Sequence, residues 1–174
     1  MSTFSTVRSA TVDDLDEILG LWSHYIRSHS TNPAYRNLPR GALDLRRELY
    51  QKRIEGPESE VFVVSRPDGG LDGMITCFVE ENLPYLRPRF YGRIQTPFVR
   101  PDARGRGNLK KLLAEAYRWA RERELTEVRL YTGADNLLAN ALAEELGFVA
   151  IEVVRRRPID WSTPPEEQAD PPDD

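Results

Sequence analysis

Cysteine is nearly absent: Cys77 is the only one in 174 residues. That excludes an internal disulfide framework, and its place in an apolar run marks a packing residue rather than a nucleophile. Histidine is equally scarce, with two, so no His/Cys cluster for a metal is expected. No apolar run approaches the roughly 20 residues that cross a bilayer. The N-terminus has neither the basic start nor the apolar core of an export signal, which predicts a cytoplasmic location and no membrane partner. The third glycine of a dinucleotide fingerprint is missing after Gly105 and Gly107, and no Gly-Lys-Ser/Thr triplet marks a nucleotide-triphosphate loop. There are no internal repeats.

What remains is an ordinary globule, 30% charged and 40% hydrophobic with a net charge of -4, long enough for one domain. The charge is unevenly spread. Residues 160–174 hold six acids, four prolines and no base, the composition of a disordered tail, so the expected domain covers residues 1–159. Residues 100–123 hold eight Arg/Lys against three acids. A cationic stretch in an acidic protein suits a phosphate-bearing ligand. The net charge and the lack of an aromatic stacking array argue against nucleic acid.

Residues 7–10 suggest a strand, and Thr11 with Asp14 stands at capping-box spacing before a helix carrying Leu15, Ile18, Leu19, Trp22 and Ile26 at helical period. His24 and Tyr25 fall at the edges of that stripe. Residues 28–40 form a loop and residues 41–54 a second, charged helix. Residues 61–64 and 74–79 pair as a hairpin about the turn Pro67-Asp-Gly-Gly70. Glu80 and Glu81 end its second strand. Residues 91–99 make another strand in which Pro97 marks a bulge, an edge or a break in pairing. After the helix that follows, residues 127–132 suggest a strand, Asp135 or Asn136 a cap, residues up to Leu146 a helix stopped by Gly147, and residues 148–156 a further strand.

The stretch Val99-Arg-Pro-Asp-Ala-Arg104-Gly-Arg-Gly107-Asn-Leu-Lys-Lys-Leu-Leu113 joins a strand end, a basic glycine turn and a helix start. Glycines let a backbone approach a phosphate, and the free amides and positive end of a helix then point at it. Leu109, Leu112, Leu113, Ala116 and Ala120 form the stripe that anchors this helix.

Arg104-Gly-Arg-Gly107-Asn-Leu109 resembles the Arg/Gln-x-x-Gly-x-Gly/Ala loop of the GNAT N-acetyltransferases, and Asn136-x-x-Ala139 and Leu146-Gly147-Phe148 follow at that family's spacing. The resemblance implies an α/β fold: a mixed, mostly antiparallel central sheet with flanking helices and a splayed parallel strand pair. It implies acetyl-CoA as co-substrate, without a metal. The pantetheine arm would pair with Phe98, Val99 and Arg100, and the pyrophosphate would meet Arg104, Gly105, Arg106, Gly107, Asn108 and Leu109, with Asn136 also contributing. Tyr35 and Arg36 are candidates for acceptor contact. A closing strand after residue 156 is not evident, which leaves room for a homodimer that completes the sheet edge.

The implied reaction is acetyl transfer to a primary amine of a small molecule or peptide, by direct attack in a ternary complex. Two family positions differ: the helix tyrosine that protonates the thiolate is Ala143, and the strand glutamate that serves as base is Gln95. Tyr131, Glu80, Glu81, His24 or water would substitute. The competing reading is a catalytically weakened acyl-CoA-binding or regulatory module.

Overall fold

Strand alternation and helical stripes resolve into a five-stranded sheet with helices on both faces. The structure, a computed structural model, describes residues 5–163 and residue 165. It divides into two compact units, Met1–Asp135 and Asn136–Asp174.

In the first unit, β1 (Thr6–Ser9) leads through a single 3-10 turn into α1 (Leu15–Ser28). The Asp14 carboxylate accepts from the Thr11 amide at 2.8 Å and from Arg8 at 2.7 Å. That tie fixes the entry of the helix, and the guanidinium of Arg8 holds the Asp14 carboxyl below its ordinary range. α2 (Ala42–Glu55) follows, then β2 (Ser59–Ser65), β3 (Leu71–Glu81), β4 (Phe90–Val99), α3 (Asn108–Glu122) and β5 (Val128–Leu130). The strands lie in the order β1-β2-β3-β4-β5. Neighbours are antiparallel except β4 and β5, which are parallel. This is the mixed, mostly antiparallel sheet expected from the sequence.

One face of the sheet packs on α3 and the other on α1 and α2. The core on the α1/α2 side joins Ile18, Leu21 and Trp22 of α1, Tyr50 of α2, and Val61, Val63, Met74 and Phe98 of the sheet. The α3 stripe is buried at Leu112, Leu113, Ala116 and Ala120, and Trp119 joins it. Cys77 is fully buried, and burial pushes its thiol up to about 12, as suits a packing residue.

In the second unit, Asn136 caps α4 (Leu137–Glu145) by accepting from the Ala139 amide at 3.1 Å. Gly147, at φ +85°, ends it. The strand expected over residues 148–156 does not form: no regular structure is present there. Val149, Ile151, Val153 and Val154 are exposed. Their β-branched side chains favour extended backbone, but a strand also needs a paired neighbour for its amides and carbonyls. Within the tail expected over residues 160–174, positions 164 and 166–174 lie outside the described residues.

Candidate functional site

The parallel ladder between β4 and β5 covers only Gly92–Ile94 against Val128–Leu130, and β4 then runs five residues farther, to Val99. At the point of separation β4 carries a bulge. Thr76 faces Gln95 while Met74 faces Phe98, so β4 holds two residues, Thr96 and Pro97, where β3 holds one. Thr96 takes φ +51° to accommodate the extra residue. Pro97 therefore marks a bulge, one of the three outcomes its missing amide hydrogen allowed. The bulge keeps Gln95 and Phe98, three residues apart, on the same α1/α2 face.

The chain leaves β4 through Arg100, whose amide donates to the Asp72 carbonyl at 2.8 Å, and turns at Pro101–Ala103. Gly105 and Gly107 both adopt left-handed backbone, at φ +74° and +75°, and no atom lies within 4 Å of where a side chain would begin. Gly107 directly precedes α3. The loop thus presents open backbone at a helix N-terminus, a cradle that fits a pyrophosphate.

Several loop side chains hold the turn in shape. Asn108 is buried and donates through Nδ2 to the Ala103 carbonyl at 3.1 Å, so its backbone amide faces the cradle while its side chain faces the core. Arg104 donates through Nε to the Val99 carbonyl at 3.1 Å, and Arg106 to the Asp102 carbonyl at 3.1 Å. Arg100 pairs with Asp102 at 3.2 Å. Leu109 is half-buried.

Around the end of the β4·β5 ladder, the other candidates fall into two groups. Glu80 pairs with Arg93 at 3.0 Å, and Glu81 with the exposed Arg89 at 3.0 Å, so the two neighbouring acids point to different partners. Arg93 also lies over the Tyr131 ring, 3.2 Å from its centroid. Tyr131 directly follows β5 and is half exposed. Burial, and then its neighbour Tyr131, push the Tyr91 phenol up to about 12, leaving Tyr91 a hydrogen-bonding group rather than an acid. Near α1, Tyr25 packs against His29, Tyr35 and Phe98, and burial raises its phenol too. Tyr35 joins this aromatic cluster. Arg36 instead reaches back to the Thr31 carbonyl at 3.4 Å, and His24 is exposed. Asn136 belongs to the second unit, where its side chain caps α4.

Sequence reading overlooked Arg46, Arg53, Thr76 and Thr96. Arg46 donates through Nη2 to the Tyr50 hydroxyl at 3.1 Å and to Thr96 Oγ1 at 3.3 Å, tying α2 to the bulge. The spacing of Arg46, Tyr50 and Arg53, four and then three residues, marks one helix face and was the available signal.

Comparison with known proteins places this geometry. Residues 24–148 match the model of the acetyltransferase (GNAT) family. An uncharacterized N-acetyltransferase of Methanocaldococcus jannaschii is 29% identical over 152 residues, 86% of this chain. The chain spans 63% of that relative's length. Among solved structures, a mutant of the BH1408 protein of Bacillus halodurans aligns with a TM-score of 0.74 at 19% identity, over 88% of this chain and 99% of its own. AAC(6')-Iy, in complex with the bisubstrate analog CoA-S-monomethyl-acetylneamine, aligns at 0.69 and 20% identity, over 90% and 98%. At these identities the structures speak for the fold, and the family model, spanning most of the chain, speaks for descent: the chain belongs to the GNAT acetyltransferase family.

Proposed function

We propose that the protein transfers an acetyl group from acetyl-CoA to a primary amine of a small molecule or peptide, by direct attack within a ternary complex. The observation that carries this reading is the continuity of the cleft: β4 parts from β5 after Ile94 and runs straight into the glycine cradle at the start of α3. The pyrophosphate of the donor would lie on the amides of residues 105–109. Its pantetheine arm would follow the free side of β4 toward the bulge, past Phe98, Val99 and Arg100. A β4 amide near Val99 would then polarise the thioester carbonyl as the tetrahedral oxyanion forms. Holding amine and thioester together removes much of the entropic cost of a bimolecular reaction.

In this mechanism the neutral amine attacks the carbonyl carbon, the C–S bond breaks, the amide nitrogen loses a proton and the departing thiolate gains one. Tyr131 is the first candidate for the second transfer, because this half-exposed residue directly follows β5, the strand that parts from β4. Glu80 is engaged by Arg93 at 3.0 Å, so its carboxylate is turned to that guanidinium and does not stand free for the amine. The attacking amine would lose its proton to water or to a group on the acceptor.

The test is acetyl-CoA-dependent thiol release across a panel of amines, run beside calorimetric titration of CoA. Gly107→Glu should abolish CoA binding in a protein that still folds. The site around residue 107 is open, so the added carboxylate meets the phosphates, while the left-handed backbone costs about 1 kcal/mol. Undiminished CoA affinity in that variant would remove the cradle from the mechanism. Tight CoA binding without turnover of any amine would favour the binding-module reading.

A further inference from the structure

The α1/α2 face of the sheet carries more positive charge than its carboxylates balance. Arg46 and Arg53 stand two turns apart on one face of α2. Arg46 reaches the β4 bulge at Thr96, and Arg53 lies over the Phe78 ring, 3.5 Å from its centroid. Phe78 faces Arg93 across the β3·β4 ladder, so a third guanidinium joins the row. Glu80 bonds Arg93 at 3.0 Å. Among the described residues, no ion pair involves Arg46 or Arg53. Burial, and then the charge of Arg46, push the Arg53 guanidinium down from its ordinary range, as expected of two cations sharing one patch.

The same face concentrates buried donors that have no protein partner: Nε of Arg46, Arg53 and Arg93, and the hydroxyl of Thr76. A buried donor left unmade costs on the order of 1–3 kcal/mol. Four together on one face, three of them guanidinium, match a bound anion, because the planar fork of arginine fits a carboxylate in two-point contact.

We propose, building on the acetyltransferase reading, that the acceptor is a small amine that also bears a carboxylate, held by Arg46 and Arg53 over Thr76. Thr76 lies directly opposite Gln95, beside the point where β4 and β5 part. The bulge beside Thr76 is also where the proposed donor arm would end, which brings the carboxylate site within reach of the amine of a short amino acid. Polycationic acceptors, aminoglycosides included, meet repulsion from the same arginines. These charges also favour the neutral amine over the ammonium ion, which is the form that attacks.

The experiment is calorimetric titration of the CoA-bound protein with glycine, β-alanine and γ-aminobutyrate against ethylamine, propylamine and butylamine, with thiol release from acetyl-CoA measured in parallel. The amino acids should bind at least tenfold tighter than the matched alkylamines. Arg46→Lys and Arg53→Met, each checked for an unchanged melting temperature and CoA affinity, should erase most of that advantage over the matched alkylamines. Equal affinity for the two series, tighter binding of a polyamine, binding of no probe, or an advantage that survives both substitutions would overturn the proposal. The outcomes separate it from the reading beneath it. Tight amino-acid binding without thiol release would keep the anion site and remove acetyl transfer, whereas thiol release that ignores the carboxylate would do the reverse.

Discussion

At the scale of single residues, the sharpest question is the proton that the thiolate receives. Tyr131→Phe is a clean probe, because the ring on which Arg93 packs is retained and only the hydroxyl is lost. If Tyr131 is the acid, kcat should fall by about a hundredfold to ten-thousandfold while the KM for acetyl-CoA and the melting temperature hold. A rate within threefold of the parent would remove Tyr131 as the acid. Sequence reading singled out Tyr131 and the glycine cradle because each follows from local pattern: a residue at a strand end, a basic turn before a helical stripe. It separated neither Glu80 from Glu81 nor the two faces of Asn108, since these depend on partners distant in the chain. Arg93 holds one glutamate, and the Ala103 carbonyl turns one asparagine inward. Arg46 escaped notice for the same reason, its meaning lying in Thr96, fifty residues away.

Among the elements, the decisive one is the β3·β4 ladder, which must carry a bulge and stay paired. Gly73 makes that possible on the β3 side. A Cβ there would fall 2.7 Å from the Phe98 carbonyl oxygen and 3.1 Å from Val99 Cγ2. Gly73→Ala should therefore cost about 1–3 kcal/mol, read as a lower midpoint in urea, and should weaken CoA binding because Phe98 and Val99 shift with it. An unchanged midpoint would mean that the ladder relaxes more readily than its contacts suggest. Pro97 made this irregularity legible in advance, because a residue without an amide hydrogen cannot continue a ladder. The three-residue span of β5 was not legible, since the polar/apolar alternation of residues 127–132 suits a strand of twice that length. Nor was the absence of a strand over residues 148–156, where propensity was high and the missing ingredient was a neighbour.

For the whole molecule, we propose that residues 163–174 contribute nothing to the fold. They hold five acids and no base, so removing them takes the net charge from -4 to +1. The truncated chain should keep its melting temperature within about 2 °C, a change of under 1 kcal/mol for a protein of this size. Its CoA affinity should rise at low salt and match the parent at physiological salt, because long-range repulsion of an anionic ligand is screened there. A large fall in melting temperature would make the segment structural. Cys77 is convenient for such measurements. The native protein, its one thiol sealed in the core and raised to about 12, should be silent to a chromogenic disulfide reagent, whereas each unfolded chain should yield one equivalent. The reagent that counts CoA released in turnover therefore also counts denatured enzyme, and a blank without acceptor calibrates the two against each other in a single cuvette.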